Sequence, residues 1–148
     1  MTQEDKELLL KDLSARLFYG VKVSLHHEDM GYLTGTLDAI YPTEDRVIVD
    51  NLNKVIAPVN VRCGGFNVEK NNVKPYLRPL TSMTDEEREE YRKFSHYGAA
   101  GYRDNDFKEM IAVPSFEKID WLIKNHFDYR GLIEKGLAIS TKEHNSYD

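Results

Sequence analysis

The chain has 148 residues, 41% hydrophobic and 30% charged, with a formal charge of -5, which is length for about one domain and a composition that excludes disorder as the default. Mild acidity excludes a surface built throughout to grip extended nucleic acid, since that needs clustered Lys and Arg. A single cysteine, Cys63, excludes an internal disulfide and a paired-cysteine zinc site, and no run nears the roughly 18 to 20 apolar residues of a membrane span, so a soluble, cytoplasmic protein is expected.

Glu4, Asp5 and Glu7 sit where a helix dipole favours acidic groups, and Leu9, Leu13 and Leu17 follow at four-residue spacing beside Leu10. This predicts an amphipathic helix over 3–17, closed near Gly20 by a left-handed cap. Its leucine stripe needs a sheet or a partner chain to cover it. The period then becomes two: Val21, Val23 and Leu25 alternate with Lys22, Ser24 and His26. After a turn over 27–31, a longer strand over 32–41 sets Leu33, Leu37, Ala39 and Tyr41 on one face and Tyr32, Thr34, Thr36 and Asp38 on the other. Gly35 in its middle predicts a bend or bulge. Turn chemistry at 42–45 leads to a short strand at 46–50, and a turn at 51–53 leads to Val55 and Ile56. Pro58 interrupts pairing, weaker strand material runs over 59–68, and Asn71 and Asn72 mark a last turn. Strands this short and this evenly spaced predict a curled antiparallel sheet, or a small barrel of SH3-like or Sm-like character, over 18–80.

Pro75 and Pro79 bracket Tyr76, Leu77 and Arg78. Each removes a ladder donor and biases its predecessor toward extended backbone, so a final edge strand is expected there. Thr84 and Glu87 have the spacing of a capping box for a new helix running to about Phe94, anchored by Tyr91 and Phe94. Residues 95–113 lack periodicity and read as a long solvated loop, of the kind that carries function. Pro114 and Ser115 open a further helix with Phe116, Ile119, Leu122, Ile123 and Phe127 on one face and Trp121 to its side. Asp128 is placed to cap a last helical turn over 129–135, ended by Gly136. The expected class is α+β in one domain: a helix over 1–17, the sheet or barrel over 18–80, a C-terminal helical cap over 81–140 and a tail over 141–148.

Lys22, Arg62, Lys74 and Arg78 project from predicted strands, and Tyr19, Tyr32, Tyr41, Phe66 and Tyr76 lie near them in sequence. Guanidinium forks and ammonium groups suit a phosphate, and flat rings suit a base, so these residues form a candidate site for a small anionic nucleotide. The plainer alternative is that the cations solvate a sheet face and the rings fill its core. Residues 18–80 carry seven basic and seven acidic side chains, so a broad basic face is not expected and extended nucleic acid is disfavoured. His126, Asp128, Tyr129 and Arg130 suggest acid–base chemistry, but Asp128 as a cap and Arg130 paired with it, or with the acidic first turn of another helix, is the better reading. His26 and His27 adjoin Glu28 and Asp29, yet neighbouring strand residues point to opposite faces and cannot readily share an ion. Gly64 and Gly65 lack the lysine and helix of a phosphate loop. No metal, cofactor or catalytic constellation is expected, which leaves a non-enzymatic binding protein.

The blocks VKPYLRPLTSMTDEEREEY and IDWLIKNHFDYRGLIEKGLAI, with KELLLKDLSARLFYGVKV at the N-terminus, resemble the signature blocks of a family of small proteins encoded by phages and prophages of gut Bacteroidales. The resemblance implies a fixed frame at both ends and a variable middle over 24–72, and it carries over no catalytic residue. It implies a phage accessory protein that sequesters a host nucleotide signal, or alternatively an adaptor or inhibitor of a host protein. RNA binding by an Sm-like barrel is the third alternative, and the leucine stripe of the first helix suggests a homo-oligomer.

Overall fold

The computed structural model describes residues 1–52, 63–94 and 116–141. Helix α1 (Gln3–Arg16) starts at Thr2, whose Oγ1 accepts from Asp5 N at 3.0 Å, and Gly20 ends the following 3-10 turn Leu17–Tyr19 at φ 64. Leu9, Leu10 and Leu13 are buried as the spacing predicts. Asp12 and Arg16 are buried beside them, which the spacing does not predict.

Six strands follow: β1 (Lys22–His27), β2 (Gly31–Tyr41), β3 (Arg46–Asp50), β4 (Cys63–Asn67), β5 (Lys74–Leu77) and β6 (Ile139–Ser140). Their order in one sheet is β4-β3-β2-β1-β5-β6. The first five pair antiparallel and β6 joins β5 in parallel. Two expectations change here. The sheet is mixed and not closed into a barrel, because among the described residues no ladder joins its end strands. Strand β5 is interior rather than an edge, since Tyr76 and Leu77 pair with Ile139 and Ser140, and Arg78 bridges to Phe127. The flanking prolines restrict the length of β5 but leave its remaining donors able to pair on both sides.

The irregularity in β2 lies later than its glycine suggests. The register slips between Leu37, opposite Val49, and Ala39, opposite Ile48, so Asp38 is the inserted residue. Beyond it the faces exchange: Ile40 packs toward the core and Tyr41 is exposed, the reverse of the simple alternation. Gly35 is needed for a different reason, because a β-carbon there would stand 2.6 Å from the Asp50 carbonyl oxygen. The β4–β5 turn is closed by asparagines. Asn67 accepts from Glu69 N and Lys70 N, and Asn71 bonds His26 through both its backbone and its side chain.

Helix α2 (Asp85–Arg92) has the expected capping box, with Thr84 Oγ1 accepting from Glu87 N at 3.1 Å and Glu87 Oε1 accepting from Thr84 N at 3.0 Å. Helix α3 (Phe116–Lys124) buries Lys118, Trp121, Leu122 and Ile123 while Phe116 is 88% exposed, so its buried face is rotated from the expected one. Among the described residues, the expected helical cap over 81–140 comes down to these two short α-helices. Asp128 accepts from Leu132 N and Ile133 N at 2.8 and 2.9 Å, but the segment it closes is a set of turns rather than a helix. Leucines of α1 and the inner faces of β1 to β5 form the larger core. Met83, Tyr91, Trp121, Leu122 and Phe127 form a second, with Trp121 stacked on Phe127 at 5.6 Å. No helix among the described residues is long and apolar enough to cross a membrane.

Candidate functional site

In an antiparallel ladder, residues directly opposite each other point to the same face. On β1, Val23 and Leu25 are buried, so Lys22, Ser24 and His26 face the other way. Register extends that face across three strands. His26 stands opposite Tyr32, Ser24 opposite both Thr34 and Lys74, and Lys22 opposite Thr36. The result is a polar strip on the side of the sheet away from the α1 core. Lys22 and Lys74 lie diagonally across one ladder, where such neighbours stand about 7–8 Å apart, close enough for two flexible ammonium stems to reach one anion. Ser24, Thr34 and Thr36 supply hydroxyls between them. One end of the strip carries an aromatic pair, with the exposed Tyr32 ring edge-on to His26 at 4.9 Å.

The candidates named from the sequence divide accordingly. Lys22, Lys74 and Tyr32 belong to the strip. Tyr19 flanks its far end, half-buried and edge-on to Phe18 at 5.2 Å. Tyr76 is buried in β5 next to β6. Phe66 is a core residue, which answers to the plainer reading. Arg78 is committed elsewhere: its two terminal nitrogens donate to the Glu87 carboxylate at 2.8 and 2.7 Å, and its guanidinium lies 4.2 Å from the Phe127 ring centroid. That bidentate pair holds the Glu87 carboxyl below its usual range, helped by Thr84. Arg62 and the 95–113 loop lie outside the described residues. Phe18, Ser24, Thr34 and Thr36 were not singled out by the sequence, and His26 was weighed only as a metal ligand, although period-two alternation had already put His26, Ser24, Thr34 and Thr36 on one side of their strands.

The HFDYRG block is tied into the fold by polar contacts. Arg16 Nε and Nη2 donate to the Asp12 carboxylate at 2.7 and 3.2 Å, Nη2 also reaches the Phe127 carbonyl at 2.6 Å, and Arg130 Nε lies 3.3 Å from Asp12. Arg130 therefore pairs with Asp12, in the middle of α1, and not with Asp128 or a first helical turn. His126 is a turn residue at φ 64 whose carbonyl accepts from Arg78 N. Burial, with the positive charges of Arg16, Arg78 and Lys22, lowers its pKa to about 4, so it is neutral at pH 7. His27 Nδ1 accepts from Asp29 N, consistent with a turn role, and no group of three metal-ligating side chains exists among the described residues. Comparison of the chain with protein-family models, curated proteins and solved structures yields no match.

Proposed function

We propose that this chain is a non-enzymatic binding protein whose polar sheet strip holds a small anionic nucleotide. One observation carries this reading: Lys22 and Lys74 stand on neighbouring strands among hydroxyls, beside the exposed Tyr32. Ammonium groups recognise phosphate as point charges, and a ring open to water offers a base its flat contact. The resemblance to phage proteins supports an accessory role in the cytoplasm of a bacterial host, where sequestering a nucleotide signal needs binding and no catalysis. A panel of mono-, di- and cyclic nucleotides read by thermal shift tests it. A shift that falls in Lys22→Ala and Lys74→Ala is expected, and no shift across the panel removes the reading.

A second reading, an adaptor for a host protein, draws on β4, which ends the sheet order and carries Gly64 and Gly65. It predicts one stoichiometric host protein in pull-downs, lost when Gly65→Pro blocks strand addition. RNA binding, the third reading, rests on an Sm-like barrel and draws no support from a mixed sheet that is not closed; strong salt dependence of association would mark it.

A further inference from the structure

We infer that the strip takes a dinucleotide, two nucleosides joined through one or two phosphates, an inference that rests on the nucleotide reading above and names its ligand. One end of the strip carries an aromatic pair, a second pair stands on the turn that adjoins its other end, and the cations lie between. At one end Tyr32, 69% exposed, meets His26. At the other, Phe18, 89% exposed, meets Tyr19 on the turn that leads into Lys22. That turn abuts the strip, for a β-carbon on Gly20 would lie 3.8 Å from the Thr36 methyl.

The strip is long enough for a two-ring ligand. Four residues separate the His26–Tyr32 row from the Lys22–Thr36 row on each strand, which at the usual strand rise is about 13 Å, and the Phe18–Tyr19 turn adjoins the second of these rows. Lys74 stands in the middle row opposite Ser24 and Lys22 in the end row, so the two cations converge on a phosphate between the rings. A mononucleotide would occupy one ring and leave the second aromatic pair in water. A longer strand is disfavoured, because Asp50 stands opposite Thr36 on β3 and the chain as a whole is negative.

Calorimetric titration of the full chain tests this with AMP and GMP, their pyrophosphate-linked and phosphodiester-linked dinucleotides, and a short oligonucleotide. A dinucleotide should bind about tenfold or more tightly than the matching mononucleotide, and Phe18→Ala and Tyr32→Ala should each weaken it about tenfold. Both rings are exposed, so neither change threatens folding. Equal affinity for mono- and dinucleotide, or indifference of the dinucleotide to Phe18→Ala, overturns the inference and leaves the nucleotide reading in place. Tightest binding by the oligonucleotide, with a steep salt slope, overturns it in favour of strand binding. Binding by none of the nucleotides overturns both.

Discussion

Asp12 and Arg16 are one helical turn apart and wholly buried, with the guanidinium shared between the carboxylate and the Phe127 carbonyl. A buried pair contributes little net stability against an apolar pair of the same shape, but removing one partner strands the other charge. Asp12→Ala should therefore cost about 3–5 kcal/mol in urea denaturation, and the double change Asp12→Leu with Arg16→Met should cost less than the single one. His126 makes a prediction of opposite chemistry. Its pKa is lowered from 6.5 to about 4 in the fold, so as pH falls through 6.5 the unfolded chain gains a proton that the folded chain refuses. Stability is thus full above pH 6.5 and declines until the folded pKa is reached. The full linkage would be about 3 kcal/mol, and partial solvent access to the ring reduces the expectation to about 1–2 kcal/mol. Urea midpoints at pH 7 and pH 4.5 measure it, and His126→Asn, which tolerates positive φ, should remove much of the slope.

At the scale of elements, β2 shows how one inserted residue decides what a strand presents. Upstream of Asp38 the alternation holds and aligns Tyr32, Thr34 and Thr36 on the strip. Downstream it inverts, which is why Tyr41 lies outside the core with Arg46 over its ring at 4.7 Å. Gly35 lets β2 approach β3 at this point. Gly35→Ala would drive a methyl against the backbone oxygen of Asp50, which cannot yield as a flexible side chain would. A loss of about 1–3 kcal/mol is expected, seen as a lower thermal midpoint. The capping box of α2 has a second use in the structure, because Glu87 closes the helix and anchors β5 through Arg78.

Across the whole molecule, Phe127 joins parts that are far apart in sequence. Its carbonyl is held by Arg16 of α1, its ring lies under Arg78 just past β5, and Trp121 of α3 stacks on it at 17° between planes. Phe127→Ala should cost about 3–5 kcal/mol, and because Trp121 is the only tryptophan its emission reports the loss of the stack directly. At the other end of α1, Lys6 bridges Asp45 and Glu69 at 3.2 and 3.0 Å, so the helix is tied to two turns of the sheet. Both ends of α1 are thus fastened to the rest of the fold, one through Phe127 and the other through Lys6.

Local rules were enough for the elements whose signals lie within a few residues. The Thr84 and Glu87 box, the Gly20 cap, the leucines of α1 and the alternation of β1 all follow from spacing, because each depends on one turn or one strand. Those rules also put Lys22, Ser24, Thr34 and Thr36 on the polar sides of their strands. They could not align those sides, since register is a relation between strands that no single strand encodes. Long-range contact likewise decided that Arg78 belongs to Glu87 and Phe127 rather than to a ligand, that Phe66 fills the core, and that β5 lies inside the sheet because a segment some sixty residues later pairs with it. A charged side chain carries the same sequence signal whether it faces water, a ligand or a buried partner, and only packing distinguishes the three.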